Sequence, residues 1–308
     1  MFKILYERKP TVYLPEIDAY CAYLTQNYPQ VQAYDSGTMD AAEIANTSFD
    51  AVWKFMGFDR GQAASSCYVI HEYGSLSVPP FARAKNWLKK MVNTPPQQRV
   101  FLNARVQNDF GFFDDIPAYL RDMGIDARFF VREKVETRRP EFDFVYCGSL
   151  YRDRSVIEFL RFCAYGKTMG KVLVVGDVTP EDATDLGRSG QVTFTGRIPY
   201  HQVPDVLCTA RFGLNIIPDI YPYHIQTSTK ILEYAAIGLP IISNSYPWVR
   251  QFEQERGGRF FYLPKDLNRL TLRDIETFDF ATPDVSDLRW SYVIERSGVF
   301  DFLSKSIL

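Results

Sequence analysis

The chain has 308 residues, about twice the length of an ordinary domain, so two domains are expected. Its 35 Lys and Arg face 37 Asp and Glu, a formal net charge of −2 with no basic tail, which removes the electrostatic argument for a nucleic-acid partner. Five cysteines, Cys21, Cys67, Cys147, Cys163 and Cys208, make no CxxC pair and no zinc-ligand spacing, which predicts buried free thiols in a reducing compartment rather than a disulfide framework.

The N-terminal MFKILYERKP holds one short strand, Phe2 to Tyr6, and no signal-peptide core. No stretch reaches the roughly 18 uninterrupted apolar residues of a membrane span. The expected location is cytoplasmic, with peripheral attachment to the inner face of a membrane left open. Pro15 to Gln26 predicts a helix with proline in its first turn, and Phe49 to Phe55 and Cys67 to His71 predict strands. In Pro79 to Val92, PPFARAKNWLKKMV, four basic residues, Arg83, Lys85, Lys89 and Lys90, surround Phe81, Trp87, Leu88 and Met91. Such a segment either lies in an anionic membrane interface or packs as an ordinary surface helix. Val100 to Asn103 and Arg128 to Val131 are expected to complete a smaller sheet, with a helix at Asp115 to Met123 between them. Arg132 to Glu141 is charged and reads as a linker.

From Phe142 the pattern becomes strand, glycine turn, helix. Phe142 to Cys147 is followed by Gly148-Ser149-Leu150 and a helix from about Ser155 to Tyr165. Lys171 to Val175 closes on Gly176-Asp177, Gln191 to Thr195 closes on Gly196-Arg197, and Phe212 to Ile217 and Pro240 to Ser243 add two more strands. Continuous apolar strands alternating with helices argue for a parallel sheet covered on both faces, whose ligands bind beyond the strands' carboxyl ends. The tail from Val285 to Leu308 reads as one helix, with Gly298 supplying a bend.

The richest stretch is Thr227 to Ser243, TSTKILEYAAIGLPIIS. Lys230 and Glu233 stand at i and i+3 and share a helix face. Thr227, Ser228 and Thr229 sit where that helix begins, where hydroxyls and unpaired N–H groups suit an anion. The bland alternative is a capped amphipathic helix with a solvated Lys–Glu pair.

The succession FVYCGSLYRDRSVIEFL, KVLVVGD, VTFTGRIPYHQVPDVL, FGLNIIP and STKILEYAAIGLPIIS resembles the donor domain of GT-B glycosyltransferases of family 4, most specifically over residues 142–243. The resemblance implies an α/β protein of two Rossmann-like domains facing a cleft: residues 1–135 on the acceptor side, 136–284 for the nucleotide-sugar donor, and a helix over 285–308 crossing back to the first domain. It implies that Gly148 and Ser149 approach the donor diphosphate, with Arg154 at the family's lysine position and Arg152 near it. Ser149 stands where the family has arginine. Glu233 matches the glutamate that takes the ribose hydroxyls, Lys230 falls beside the diphosphate, and Gly196, Arg197 and Ile198 fall at the nucleobase. Ile225 occupies the position of the family's first glutamate, and Glu7-Arg8-Lys9-Pro10 stands where a glycine-rich loop follows the first strand.

By the same resemblance His71 is the histidine that points at the donor sugar; as a lone strand-end histidine it is equally open to a structural role. Glu72, Asn103 and Arg105 are acceptor-side candidates, with helix capping as the alternative for Asn103. The expected activity is retaining transfer of a sugar from a nucleotide diphosphate sugar, UDP- or GDP-linked, to a glycan, lipid-linked or protein-linked hydroxyl, with Arg154, Lys230 and His71 as the catalytic set. Polysaccharide or lipopolysaccharide assembly fits such a reaction. No cofactor is expected, and the lack of an Asp-x-Asp pattern predicts no metal. A non-catalytic partner subunit, a nucleotide-sugar epimerase and self-assembly into a homo-oligomer remain open.

Overall fold

The strands are short, and most are followed by a helix whose return to the sheet is a parallel crossover. The computed structural model describes residues 1–57, 59, 67–137, 139–150, 154–166 and 169–306. They fall into two compact units, Met1–Gly124 with Asp287–Leu308, and Ile125–Ser286.

The first unit runs β1 (Phe2–Glu7), α1 (Pro15–Asn27), β2 (Val31–Asp35), α2 (Ala41–Asn46), β3 (Ala51–Phe55), β4 (Tyr68–Tyr73), α3 (Ala82–Val92), β5 (Gln98–Phe101), α4 (Ala104–Phe110) and β6 (Ala118–Leu120). Its parallel sheet has the order β2-β1-β3-β4-β5-β6. The second unit continues with α5 (Arg132–Thr137), β7 (Phe142–Cys147), α6 (Arg154–Tyr165), β8 (Val172–Val175), α7 (Pro180–Gly187), β9 (Val192–Gly196), α8 (Val203–Leu207), β10 (Ala210–Asn215), α9 (Thr229–Ile237), β11 (Ile241–Ser243), α10 (Pro247–Arg256), β12 (Phe261–Tyr262) and α11 (Leu272–Glu276). Its sheet is also parallel, ordered β12-β11-β10-β7-β8-β9. The tail returns to the first unit as α12 (Trp290–Ser297) and α13 (Asp301–Ser306).

In the second unit Phe144, Val174, Leu214 and Ile242 put one sheet face against Val156, Phe159 and Leu160 of α6. The opposite face takes α9. A Cβ on Gly213 of β10 would stand 2.6 Å from the Tyr234 ring, so glycine lets that helix lie directly on the strand. In the first unit Tyr6, Trp53 and Ile70 of the sheet meet Tyr20 and Leu24 of α1 together with Trp290, Ile294, Phe300 and Leu303 of the tail. The tail therefore completes this core instead of lying over it, and α12 packs on α1.

Four expectations are corrected. The helix expected at Asp115 to Met123 is the edge strand β6, tied by Arg99 N–H to Pro117 O and Arg121 N–H to Phe101 O. Three residues are too few to display a period of two. The strand expected at Arg128 to Val131 is a single 3₁₀ turn, Ala127–Phe129, capped by the Asp126 side chain. The linker contains α5, which packs on α9. The single tail helix is two helices, parted at Gly298 with φ +65, where a left-handed residue ends α12.

Candidate functional site

The glycines at the carboxyl edge of the second sheet bring strand ends unusually close. Gly176, after β8, has φ +137, and a Cβ there would stand 2.4 Å from the Gly148 carbonyl oxygen after β7. Gly148 N–H donates to Val175 O and Leu150 N–H to Asp177 O, both at 2.8 Å, while Gly176 N–H donates to Gly196 O at 3.0 Å. Three strand ends are thereby laced into one rim. Ser149 is exposed on it and Ile198 is half-buried. Arg197 reaches across to Asp177, Nη2 to Oδ2 at 2.6 Å, and both groups stay open to solvent. Arg152 lies outside the described residues. Arg154 opens α6, with its side chain likewise outside the description.

Helix α9 begins on the same edge. Its N-cap residue is Ser228, but the first turn carries no side-chain cap. The Ser228 hydroxyl is buried and donates to Asn215 Oδ1 at 2.7 Å; Asn215 Nδ2 donates to Ser243 Oγ and to the Tyr246 hydroxyl, each at 2.9 Å. The expectation that this hydroxyl serves an anion is corrected: it stitches α9 to the ends of β10 and β11. Thr227 is half-buried and Thr229 exposed.

Lys230 and Glu233 are half-buried on one side of α9, yet they turn to different partners. Lys230 Nζ lies 5.2 Å from the centre of the Tyr146 ring of β7. Glu233 Oε1 accepts the Tyr200 hydroxyl at 3.0 Å. Burial pushes the Glu233 carboxyl up to about 7, against the pull of the Tyr200 hydrogen bond and of Lys230, while Asp126 repels its charged form. Tyr200 follows Pro199 in a 3₁₀ turn, its ring 5.4 Å from Phe129 and 5.8 Å from Arg128 Cζ. Arg128 is itself clamped on the Asp126 carboxylate at 2.7–2.8 Å. Ile225 is half-buried in the 3₁₀ turn Tyr223–Ile225.

The sequence reading missed Tyr200 and Asn215. Asn215 had a usable signal, a polar residue ending a buried apolar strand, since buried polar groups are the informative ones. Tyr200 had only an aromatic ring directly after a glycine turn.

The candidates of the first unit sit differently. His71 is two residues inside β4 rather than at its end, and it is fully buried. Its Nε2 is 3.4 Å from Asp59 Oδ2, and burial lowers its pKa to about 4 despite the attraction of Asp59, so the ring is neutral. Glu72, expected on the acceptor side, is the centre of a buried cluster. It accepts Trp53 Nε1 at 2.7 Å, the Tyr20 hydroxyl at 3.1 Å and Arg121 Nη2, and Arg121 is in turn 4.0 Å from Glu16. That carboxylate is spent inside the core, which corrects its assignment. Asn103 caps α4 through its side chain, accepting Val106 N–H at 3.1 Å, which is the capping alternative. Arg105 is half-buried in the same helix.

The two parallel six-stranded sheets, with the C-terminal helices completing the first unit, define the GT-B fold. The chain is similar over its whole length to the glycosyltransferase AviGT4 of avilamycin A biosynthesis, at 15% identity and a TM-score of 0.58, covering 96% of that chain. It is similar to Anabaena HepE, solved with UDP and glucose, at 12% identity and a TM-score of 0.61, covering 99%. A UDP-N-acetylglucosamine 2-epimerase also matches over the full chain, at 11% identity and a TM-score of 0.53, covering 97%. No family model and no curated relative matches the sequence. At such identities the likeness establishes the fold.

Proposed function

We propose that the chain is a retaining glycosyltransferase that moves a sugar from a UDP- or GDP-linked donor to a hydroxyl of a glycan, lipid-linked or protein-linked acceptor. The observation that carries this reading is Glu233, presented by Tyr200 one turn beyond Lys230, on the carboxyl edge of the second sheet of a GT-B fold. As the bond from the anomeric carbon to the diphosphate oxygen breaks, negative charge grows on the departing diphosphate. Lys230, Arg154 and the first turn of α9 would meet that charge more strongly in the transition state than before it. The Gly148–Ser149 rim and Arg152 would hold the diphosphate, Glu233 the ribose hydroxyls, and Gly196 to Ile198 the base.

The test is thermal unfolding against UDP, GDP, ADP and CMP, which needs no acceptor. A nucleotide at about a hundred times its dissociation constant adds about 2.7 kcal/mol. Stabilisation by one nucleotide, lost in Glu233→Ala, supports the donor site; stabilisation by none turns the reading to a non-catalytic partner subunit. Normal turnover in both Lys230→Ala and Arg154→Ala would overturn the mechanism. The epimerase match favours a second reading, interconversion of a sugar nucleotide. Product formed without any acceptor distinguishes it.

A further inference from the structure

Helix α3 is inside out. Asn86 is 3% exposed, its Oδ1 accepting the Ser77 N–H at 2.9 Å, and Ala82 is buried beside it. Trp87 and Met91, one turn apart on the opposite face, are 63% and 62% exposed, with Leu88 next to them at 41%. A helix laid on a sheet ordinarily buries that stripe. Phe81, immediately before the helix, is 80% exposed and takes φ +62, a conformation in which a bulky residue is strained. Phe113 is 94% exposed and lies 4.3 Å from Lys90 Nζ, so its ring extends the apolar surface past the end of α3.

The charge on helix α3 itself is of one sign, while past its end exposed Asp114 and Asp115 follow Phe113, and Asp114 pairs with the buried Arg99. From Tyr73 to Asn108 the sequence has six basic residues and no acidic one, within a chain whose net charge is −2. Four of the six are Arg83, Lys85, Lys89 and Lys90 of α3 itself. Protein interfaces are depleted in lysine, whereas tryptophan amid Lys and Arg is the composition of a lipid–water boundary. We propose that this face docks on an anionic lipid bilayer. Helix α3 lies in the headgroup plane, Trp87, Leu88 and Met91 enter toward the acyl chains, and the basic residues meet lipid phosphates. The surface belongs to the first unit alone and is independent of the donor chemistry.

The experiment is co-sedimentation of the full chain with vesicles of phosphatidylcholine alone and with added phosphatidylglycerol. Binding is expected only to the anionic vesicles and is expected to fall with salt. Trp87→Ser with Met91→Ser should weaken it at least tenfold, and Lys85→Ala with Lys89→Ala should lower both the affinity and its salt dependence. Trp87 and Met91 are exposed and Lys85 and Lys89 half-buried, and matching thermal unfolding curves verify that the variants fold. Quenching of tryptophan fluorescence by brominated lipid should be largely lost in Trp87→Phe, which needs no destabilised variant. Equal binding to neutral vesicles, or undiminished binding by the Trp87/Met91 variant, overturns the proposal. So does absence of vesicle binding together with self-association that Trp87→Ser abolishes, which would give the face to a second copy of the chain.

Discussion

The Tyr200 hydroxyl donates to Glu233 Oε1 at 3.0 Å, while Lys230, one turn away on the same helix, directs its Nζ to the Tyr146 ring. The carboxylate is thus oriented from outside its own helix, by a residue that follows β9. A simple i, i+3 ion pair would have left both groups turned to each other and to water.

Glu233 should make stability depend on pH. Its carboxyl is raised from 4.5 to about 7 by burial, so between those values the native state holds a proton that the unfolded chain releases. Stability from this group is therefore highest at low pH and declines as pH rises through that window. Glu233→Gln should match wild type below about pH 4.5 and exceed it by about 2 kcal/mol near pH 8, by urea unfolding.

Tyr200→Phe removes a hydrogen bond that favours the ionised carboxylate. The carboxyl should rise further, and affinity for the stabilising nucleotide should fall about tenfold near pH 7, the worth of one bond to a charged group. Raising the pH should recover part of the loss in a calorimetric titration. A purely structural role for Tyr200 would leave that pH profile unchanged.

Arg121 and Glu72 are both fully buried and bonded to each other, with Arg121 between the Tyr20 and Trp290 rings at 5.6 and 5.2 Å. Removing one partner strands the other charge. Arg121→Met and Glu72→Gln should each cost about 3–5 kcal/mol, and the double variant should cost less than their sum. Urea unfolding of the four proteins closes the cycle.

His71 is neutral and buried, with a pKa lowered from 6.5 to about 4. The unfolded chain takes up a proton that the native ring refuses, so the stability attached to this residue is complete above pH 6.5 and is lost as pH falls toward about 4. His71→Gln should flatten the acid limb of the stability profile by about 2 kcal/mol over that interval.

Ser228→Ala should cost about 1–2 kcal/mol, since it leaves Asn215 Oδ1 buried without its hydroxyl donor. Nucleotide affinity should change by less than about threefold, because that hydroxyl points into the strand ends. A loss of binding without loss of stability would return Ser228 to the ligand.

How much was legible varied with the physics of each element. Strands β7 to β11 and helices α1 and α6 were read within a few residues, because most of these strands are apolar runs and Gly148, Gly176 and Gly196 mark the ends of β7, β8 and β9. β6 was misread, since a three-residue edge strand with exposed Leu120 carries no pattern of its own and is defined by its bonds to β5. Among the site candidates, the i, i+3 spacing put Lys230 and Glu233 on one side of α9, while their assignment to a donor site came from the family resemblance. Glu72 was misassigned because a buried carboxylate and a functional one look the same until Trp53, Tyr20 and Arg121 are seen around it.

What the sequence alone determined is the local grammar: which runs become strands, where glycine permits a sharp end, that α9 carries a lysine and a glutamate on one face, and that α3 mixes cations with large apolar side chains. Only the tertiary structure decided which partner each of those groups meets. It turned Glu233 to Tyr200 and Ser228 to Asn215, buried Asn86 while leaving Trp87 outside, and drew the tail into the first unit's core. The reason is that hydrophobic periodicity is a property of neighbours along the chain, whereas burial, hydrogen-bond partnership and the pKa shifts they cause depend on residues tens of positions away.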